Sequence, residues 1–180
     1  MANKDAITAE YVRSILHYDP ETGVFTWRDR PREHFKTIKS CRTWNTRYAG
    51  TVAGGMASSG YLQIKINAAS YRAHRLAVFV MTDEWPKDMV DHIDMDKANN
   101  RWENIREATR SQNMANTVAR KHSKSGIKGV CWHKQHRKWV AQLGGEHGRG
   151  FICLSDCPAA ASFAYQIEAD KHHGEFARVA

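Results

Sequence analysis

The feature that most constrains this chain is the shortness of its apolar runs. The longest worth weighing, Leu76 to Met81, falls far below the roughly 18 residues that a membrane span needs. Elsewhere apolar residues come in brief bursts separated by Gly, Pro, Asn and Asp. A core drawn from such pieces has to be assembled from many short strands and helices, so the 180 residues make one to three small domains. Hydrophobic residues at 42% and charged residues at 26% are an ordinary globular mix, which excludes wholesale disorder. Met1-Ala2-Asn3-Lys4-Asp5 lacks an apolar signal core. Cys41, Cys131, Cys153 and Cys157 show no C-x-x-C pair, so an intracellular, cytoplasmic setting is expected and a disulfide framework is not. Cys153 and Cys157, with His172 and His173 downstream, read as buried, inert thiols rather than a metal site.

Lys and Arg number 27 against 19 Asp and Glu, a net +8 that suits a polyanionic partner, although net charge alone also serves solubility. The charge is uneven. Arg28 to Arg47 holds seven Lys/Arg and two acids, Asp83 to Asp96 six acids and one Lys, and Arg101 to Lys128 seven Lys/Arg and two acids. An acidic pocket between basic flanks repels phosphate unless a divalent cation intervenes.

Thr8 caps a short helix with Val12, Ile15 and Leu16 at helical spacing. Asp19-Pro20-Glu21-Thr22-Gly23 turns into a Val24–Trp27 strand. Arg28 to Arg47 is basic and poorly periodic, a loop with Phe35, Trp44 and Tyr48 interleaved; it suits a DNA-tracking arm and a solvated basic loop equally. Ala49 to Gly60 turns. Tyr61–Ile66 alternates as a strand, Asn67–Ser70 turns, and His74–Met81 suits a short buried helix. Three short strands around Val130, Val140 and Phe151 precede a helix capped by Ser155 or Asp156, striped by Ala160, Phe163, Ala164 and Ile167, and ended by Gly174.

The densest polar chemistry lies between Val90 and Asn116. Val90-Asp91-His92 suits a strand end, Ile105–Thr109 a second strand, and Ser111 a helix cap that puts Asn113 in the first turn. Two strands and a helix can bring Asp91, His92 and Asn113 to one place. A carboxylate and a carboxamide are hard ligands that leave coordination sites open, as Mg2+ prefers. Imidazole as a class titrates near neutrality and can take a proton from water. Neighbours on a regular strand face opposite ways, so Asp91 and His92 share a site only where the strand twists or ends. Asp94 and Asp96 read as turn residues, His74 as packing or a phosphate contact, and Trp27, Trp85 and Trp102 as core or rim.

From about Tyr61 to Asn116 the chain resembles the HNH nucleases of the phage and intron-homing type. The resemblance rests on His74-Arg75-Leu76, Asp91-His92, the run Asn100-Arg101-Trp102-Glu103-Asn104-Ile105-Arg106-Glu107-Ala108-Thr109, and Asn113. Asn104 follows His92 by twelve positions and Asn113 by twenty-one. The resemblance implies His92 as general base, Asn104 as the residue orienting its loop, and Asp91 and Asn113 as ligands of one divalent metal. It also implies Arg101 and Arg106 at the DNA, with 5′-phosphate and 3′-hydroxyl products. Asn113 stands where many members carry His, which favours Mg2+ or Mn2+ over Zn2+. Asn99 stands where the common triplet has Asp.

Residues 126–180 resemble the DNA-binding domain of plant ethylene-response factors, through Lys128-Gly129-Val130, Trp132, Lys138-Trp139-Val140-Ala141, Ala159-Ala160, Ala164-Tyr165 and Gly174-Glu175-Phe176-Ala177. That resemblance implies a three-stranded antiparallel sheet on one helix, with Lys128, Trp132, Lys134, Arg137 and Trp139 facing the major groove. His133 and Gln142 replace charged positions, so a docking role carries over and base readout does not. The module also fits a protein-binding or structural role.

The expected fold is therefore α+β. An N-terminal helix and β-rich basic region (1–60) leads to a ββα-metal nuclease core (61–120), a linker (121–125) and the sheet-helix module (126–180). The expected partner is double-stranded DNA, with no membrane and no obligate protein partner. A non-catalytic DNA-binding regulator and a protein-recruiting module are the competing classes.

Overall fold

The computed structural model describes residues 7–119, 121–145 and 148–178. Thr8 starts the first helix, α1 (Ala9–Ile15), by accepting a hydrogen bond from the Tyr11 N–H, and Val12 and Ile15 bury its apolar side. Leu16 leaves helical geometry and opens a strand, β1 (Leu16–Asp19), which pairs antiparallel with β2 (Val24–Trp27). Asp19 shapes the turn between them by accepting from the Glu21 N–H at 3.0 Å and the Thr22 hydroxyl at 2.7 Å.

The basic stretch departs from its expected loop. It forms a helix, α2 (Ile38–Tyr48), that opens on a reciprocal cap between Thr37 and Ser40. No residue of α2 is buried, and its inward positions are aromatic or polar rather than aliphatic. That is why no helical period was legible there. A three-stranded antiparallel sheet follows, β3 (Gly55–Met56), β4 (Leu62–Ile66) and β5 (Ala69–Arg72), with β4 in the centre. Asn67 and Ala68, both at positive φ, make the two-residue β4–β5 turn. The third helix, α3 (Ala73–Thr82), buries His74, Leu76, Ala77, Val78 and Phe79 against that sheet and α1. Ile64, Ile66, Val12, Ile15, Phe25 and Leu76 fill one core, and from α3 the chain runs on to a strand, β6 (Met89–His92). A second strand, β7 (Ile105–Ala108), pairs with β6 in a two-stranded sheet.

The chain divides into two compact units, Met1–Glu107 and Ala108–Ala180. The helix α4 (Arg110–Ala115) is therefore grouped with the second unit, upstream of the expected 121–125 linker, because Ala108, Ala115 and Phe176 share a small core. Its cap is Thr109, not Ser111: Thr109 and Gln112 exchange hydrogen bonds in a capping box. In the rest of this unit, β8 (Val130–His133), β9 (Lys138–Gly145) and β10 (Gly148–Ser155) form an antiparallel sheet with β9 central. The long helix α5 (Pro158–His173) packs on it and ends at Gly174, while Cys157 with Pro158, not Ser155 or Asp156, stands at its start.

The buried stripe of α5 also differs from expectation. Ala161, Tyr165 and Ala169 face the sheet, while Phe163 and Ile167 are 66% and 40% exposed. The cause is Gly129: a Cβ there would stand 2.2 Å from the Tyr165 ring, so its bare backbone admits the ring and sets the helix rotation. All four cysteines are free, with Cys131 and Cys157 exposed and Cys41 and Cys153 half-buried, so Cys153 and Cys157 are not the buried thiols expected. Met1–Asp5 lies outside the described residues. Among the described residues no helix is long and apolar enough to cross a membrane.

Candidate active site

Strand β6 carries Val90, Asp91 and His92, all buried, so both of its faces are covered where it ends. The chain turns at once after His92, whose carbonyl accepts from the Met95 N–H at 3.0 Å. His92 Nε2 lies 3.1 Å from Asn100 Oδ1. The Asn100 side-chain nitrogen donates to the Ala98 carbonyl at 3.0 Å, which fixes Oδ1 as the atom facing the imidazole. Asn100 is almost fully buried, and its own carbonyl accepts from the Tyr18 hydroxyl at 2.7 Å. Burial pushes the Tyr18 phenol up to about 12, so it stays a donor. Gly23, in the β1–β2 turn, passes so close that a Cβ would stand 2.4 Å from the Asn100 carbonyl carbon and the Arg101 nitrogen.

His74 packs edge-on against His92 with ring centroids 4.9 Å apart, and Tyr61 lies 5.1 Å from His74. Burial first, then the charges of His92, Arg72 and Arg75, push His74 down to about 3, so it is a neutral packing group. Arg72 and Lys97 stand 4.5 and 4.7 Å from the Tyr61 ring.

Asn104 ties the loop between β6 and β7. Its Oδ1 accepts from the Asp94 N–H at 3.1 Å, its Nδ2 donates to Asp94 Oδ1 at 2.9 Å and to the Asn99 carbonyl at 2.8 Å, and its carbonyl accepts from the Ile93 N–H at 2.8 Å. Burial acts to raise the Asp94 carboxyl, but donors from Asn104, Asn99 and the Asp96 backbone hold it below the usual range. Asp96 accepts from the Ala98 N–H at 2.9 Å. Both aspartates thus brace the loop. Asp91 is 7% exposed and receives Arg106 Nη2 at 3.4 Å.

Asp91, His92, Asn104 and Arg106 therefore gather in the first unit, with Arg101 exposed on the same loop. Asn113 stands half-buried on α4 of the second unit. Sequence reasoning missed Asn100, the residue that touches the imidazole. Its signal was its place inside the quoted Asn100–Thr109 run, next to Arg101. Among the described residues no group of three or more His, Cys, Asp and Glu gathers into a metal cluster.

Several expected DNA-facing residues of the second unit are placed otherwise. The Lys128 ammonium donates to the Ala115 carbonyl, and to that of Met114 at 3.4 Å, closing the C-terminus of α4; burial, then Arg178, pushes it down to about 8. Trp139 packs against the core of Val130, Ala141, Ala161 and Tyr165. Lys134 and Arg137 lie in the exposed β8–β9 turn, not on a strand, with Arg137 at φ 49°. Trp132 is 41% exposed and meets Trp139 edge-on at 5.1 Å.

Residues 71–115 match the family model of the HNH endonuclease, which runs from the end of β5 through α4. Over this stretch the chain is thus similar to HNH endonucleases. The chain is similar to Protein 3.8 of Escherichia phage T7, at 29% identity over 89 residues, which is 49% of this chain and 73% of that protein. A solved structure of DNA binding and cleavage by the HNH homing endonuclease I-HmuI aligns with a TM-score of 0.39 and 23% identity, over 56% of this chain and 50% of that one. The match spans half the length of that solved chain.

Proposed function

We propose that the chain is a metal-dependent DNA endonuclease that hydrolyses phosphodiester bonds in a homing-like, intracellular setting of a phage or its host. The observation that supports this reading most is the His92–Asn100 pair, inside the stretch that matches the HNH endonuclease family. With Asn100 Oδ1 as acceptor, His92 Nε2 is the donor of the pair, and the buried carboxamide holds the ring in one orientation.

Of the residues proposed to hold a metal, Asp91 would offer a carboxylate and Asn113 a carboxamide, both hard oxygen donors. Such donors suit Mg2+ or Mn2+ better than Zn2+, which favours nitrogen and sulfur. A divalent cation, when bound, would supply charge neutralisation for phosphodiester hydrolysis. His92 takes the proton of the attacking water as the water oxygen bonds to phosphorus. The bond to the 3′ oxygen breaks and that oxygen takes up a proton from solvent water, leaving a 5′-phosphate and a 3′-hydroxyl. Asn104 keeps the His92 loop in place. Arg101 meets phosphate, and Trp132, Lys134 and Arg137 dock duplex DNA through the sheet-helix module, whose likeness to the ethylene-response-factor domain belongs to this proposal.

One contact favours a second reading, a DNA-binding protein on the same scaffold that does not cut: Arg106 pairs with the carboxylate a cation would need. Supercoiled plasmid incubated with Mg2+, Mn2+, Zn2+ or EDTA separates the two. Nicked or linear product with Mg2+ or Mn2+, and none in EDTA, supports the endonuclease. Intact plasmid under every metal, with binding retained, supports the second reading.

A further inference from the structure

We propose that α2 is a separate, sequence-independent grip on duplex DNA, with Lys39, Arg42, Thr43, Thr46 and Arg47 set along a phosphate backbone. This rests on the reading that DNA is the partner and adds a site to it.

At 100° per residue, Cys41, Trp44, Asn45 and Tyr48 fall on one side of α2 and are its half-buried positions. The inward side is fixed. Trp44 meets Trp27 edge-on at 5.3 Å and Tyr48 at 5.2 Å, and the Arg30 guanidinium lies 5.2 Å from the Trp44 ring. Asn45 clamps the Arg30 backbone with two hydrogen bonds of 3.0 Å, one accepted and one donated. The opposite side holds Lys39, Arg42, Thr43, Thr46 and Arg47, all exposed. Three cations and two hydroxyls are the donor types that contact phosphate oxygens.

The charge pattern opposes a plain solvated face. A surface helix is ordinarily supported by Glu–Lys pairs one turn apart and by acids in its first turn. In α2 there is no acid in the first turn, and Lys39 adds a cation to the positive end of the dipole. From residue 34 to residue 82 the chain has seven Lys/Arg and no Asp or Glu. Like charges one turn apart repel each other, and a phosphate backbone removes that repulsion. The aromatic anchor fixes the helix that carries the cations, so little backbone order remains to be imposed on binding.

The test is the salt dependence of binding to a labelled duplex, read by fluorescence anisotropy with the full chain in EDTA. Each phosphate contact contributes about 0.9 to the slope of log K against log salt, so Lys39→Gln/Arg42→Gln/Arg47→Gln should lower that slope by about 2 to 3. The drop should be the same on a scrambled duplex. The charge-preserving Lys39→Arg/Arg42→Lys/Arg47→Lys should keep the parental slope. An unchanged slope in the neutral variant overturns the proposal and leaves the face to an acidic protein or to solvent. A slope lost in both variants also overturns it, by assigning α2 a structural role. Because no cutting is measured, a chain that binds without cutting loses the endonuclease reading and keeps this one, and a chain that cuts with an unchanged slope does the reverse.

Discussion

Replacing Gly23 by Ala tests how the candidate site is built. Gly23 has φ +73°, and a Cβ on it would stand 2.4 Å from both the Asn100 carbonyl carbon and the Arg101 nitrogen. The left-handed backbone alone costs a non-glycine residue about 1–2 kcal/mol. Backbone atoms cannot rotate away, so relieving the overlap adds about 1–3 kcal/mol, the usual range for overpacking. Gly50 supplies the control: it has φ +76°, but a Cβ on it would meet nothing within 4 Å, so Gly50→Ala carries the strain without the collision. The gain from a stiffer unfolded chain is common to both and cancels. Gly23→Ala should therefore be less stable than Gly50→Ala by about 2 kcal/mol, which for a chain of this size is about 4–8 °C in Tm. Urea denaturation and thermal melts followed by circular dichroism read the difference. Because the collision falls on Asn100, plasmid cleavage should drop in Gly23→Ala and hold in Gly50→Ala. Equal melting of the two variants would refute the close approach of the β1–β2 turn to the His92 loop.

Asn100→Ala removes the acceptor for His92 and should lower cleavage by about 10²-fold, the scale of a displaced catalytic group, while leaving DNA binding near the parental value. Unchanged cleavage would remove Asn100 from the site. His74 titrates at about 3 in the folded chain against about 6.5 unfolded. The unfolded chain therefore binds the extra proton first, and stability falls as pH drops from 6.5 toward 3. His74→Gln should flatten that part of the stability profile, and an identical profile would contradict the buried, neutral assignment. In the second unit, Ala161→Leu should destabilise by about 1–3 kcal/mol through overpacking, whereas exposed Phe163→Ala should stay within about 0.5 kcal/mol. The reverse order in urea melts would restore the Phe163 stripe.

Much of the fold was legible because it obeys local rules. The alternation of Tyr61–Ile66, the Thr8 cap and the apolar run of α3 each specify their element without help from distant residues. The misread elements depend on long-range partners. Helix α2 is anchored by Trp27 and Arg30 rather than by its own periodicity. The rotation of α5 is set by a glycine on another element, where the sequence of the helix alone offered Phe163 and Ile167. The same holds at the candidate site. Asp91 and His92 were legible from residue type and spacing, but Asn100 is a buried acceptor only because Tyr18 and Gly23 close over it from a hairpin far away in sequence. Lys128 looked like a DNA contact because nothing local shows that α4 ends within reach of its ammonium.

A general base at His92 and a residue that merely fills the end of β6 differ in what their removal does. The most direct measurement compares His92→Ala with the parent on supercoiled plasmid in Mg2+ or Mn2+, alongside duplex binding in EDTA. If His92 is the general base, nicked and linear products vanish in the variant while binding persists. Cleavage at the parental rate by His92→Ala would contradict that role.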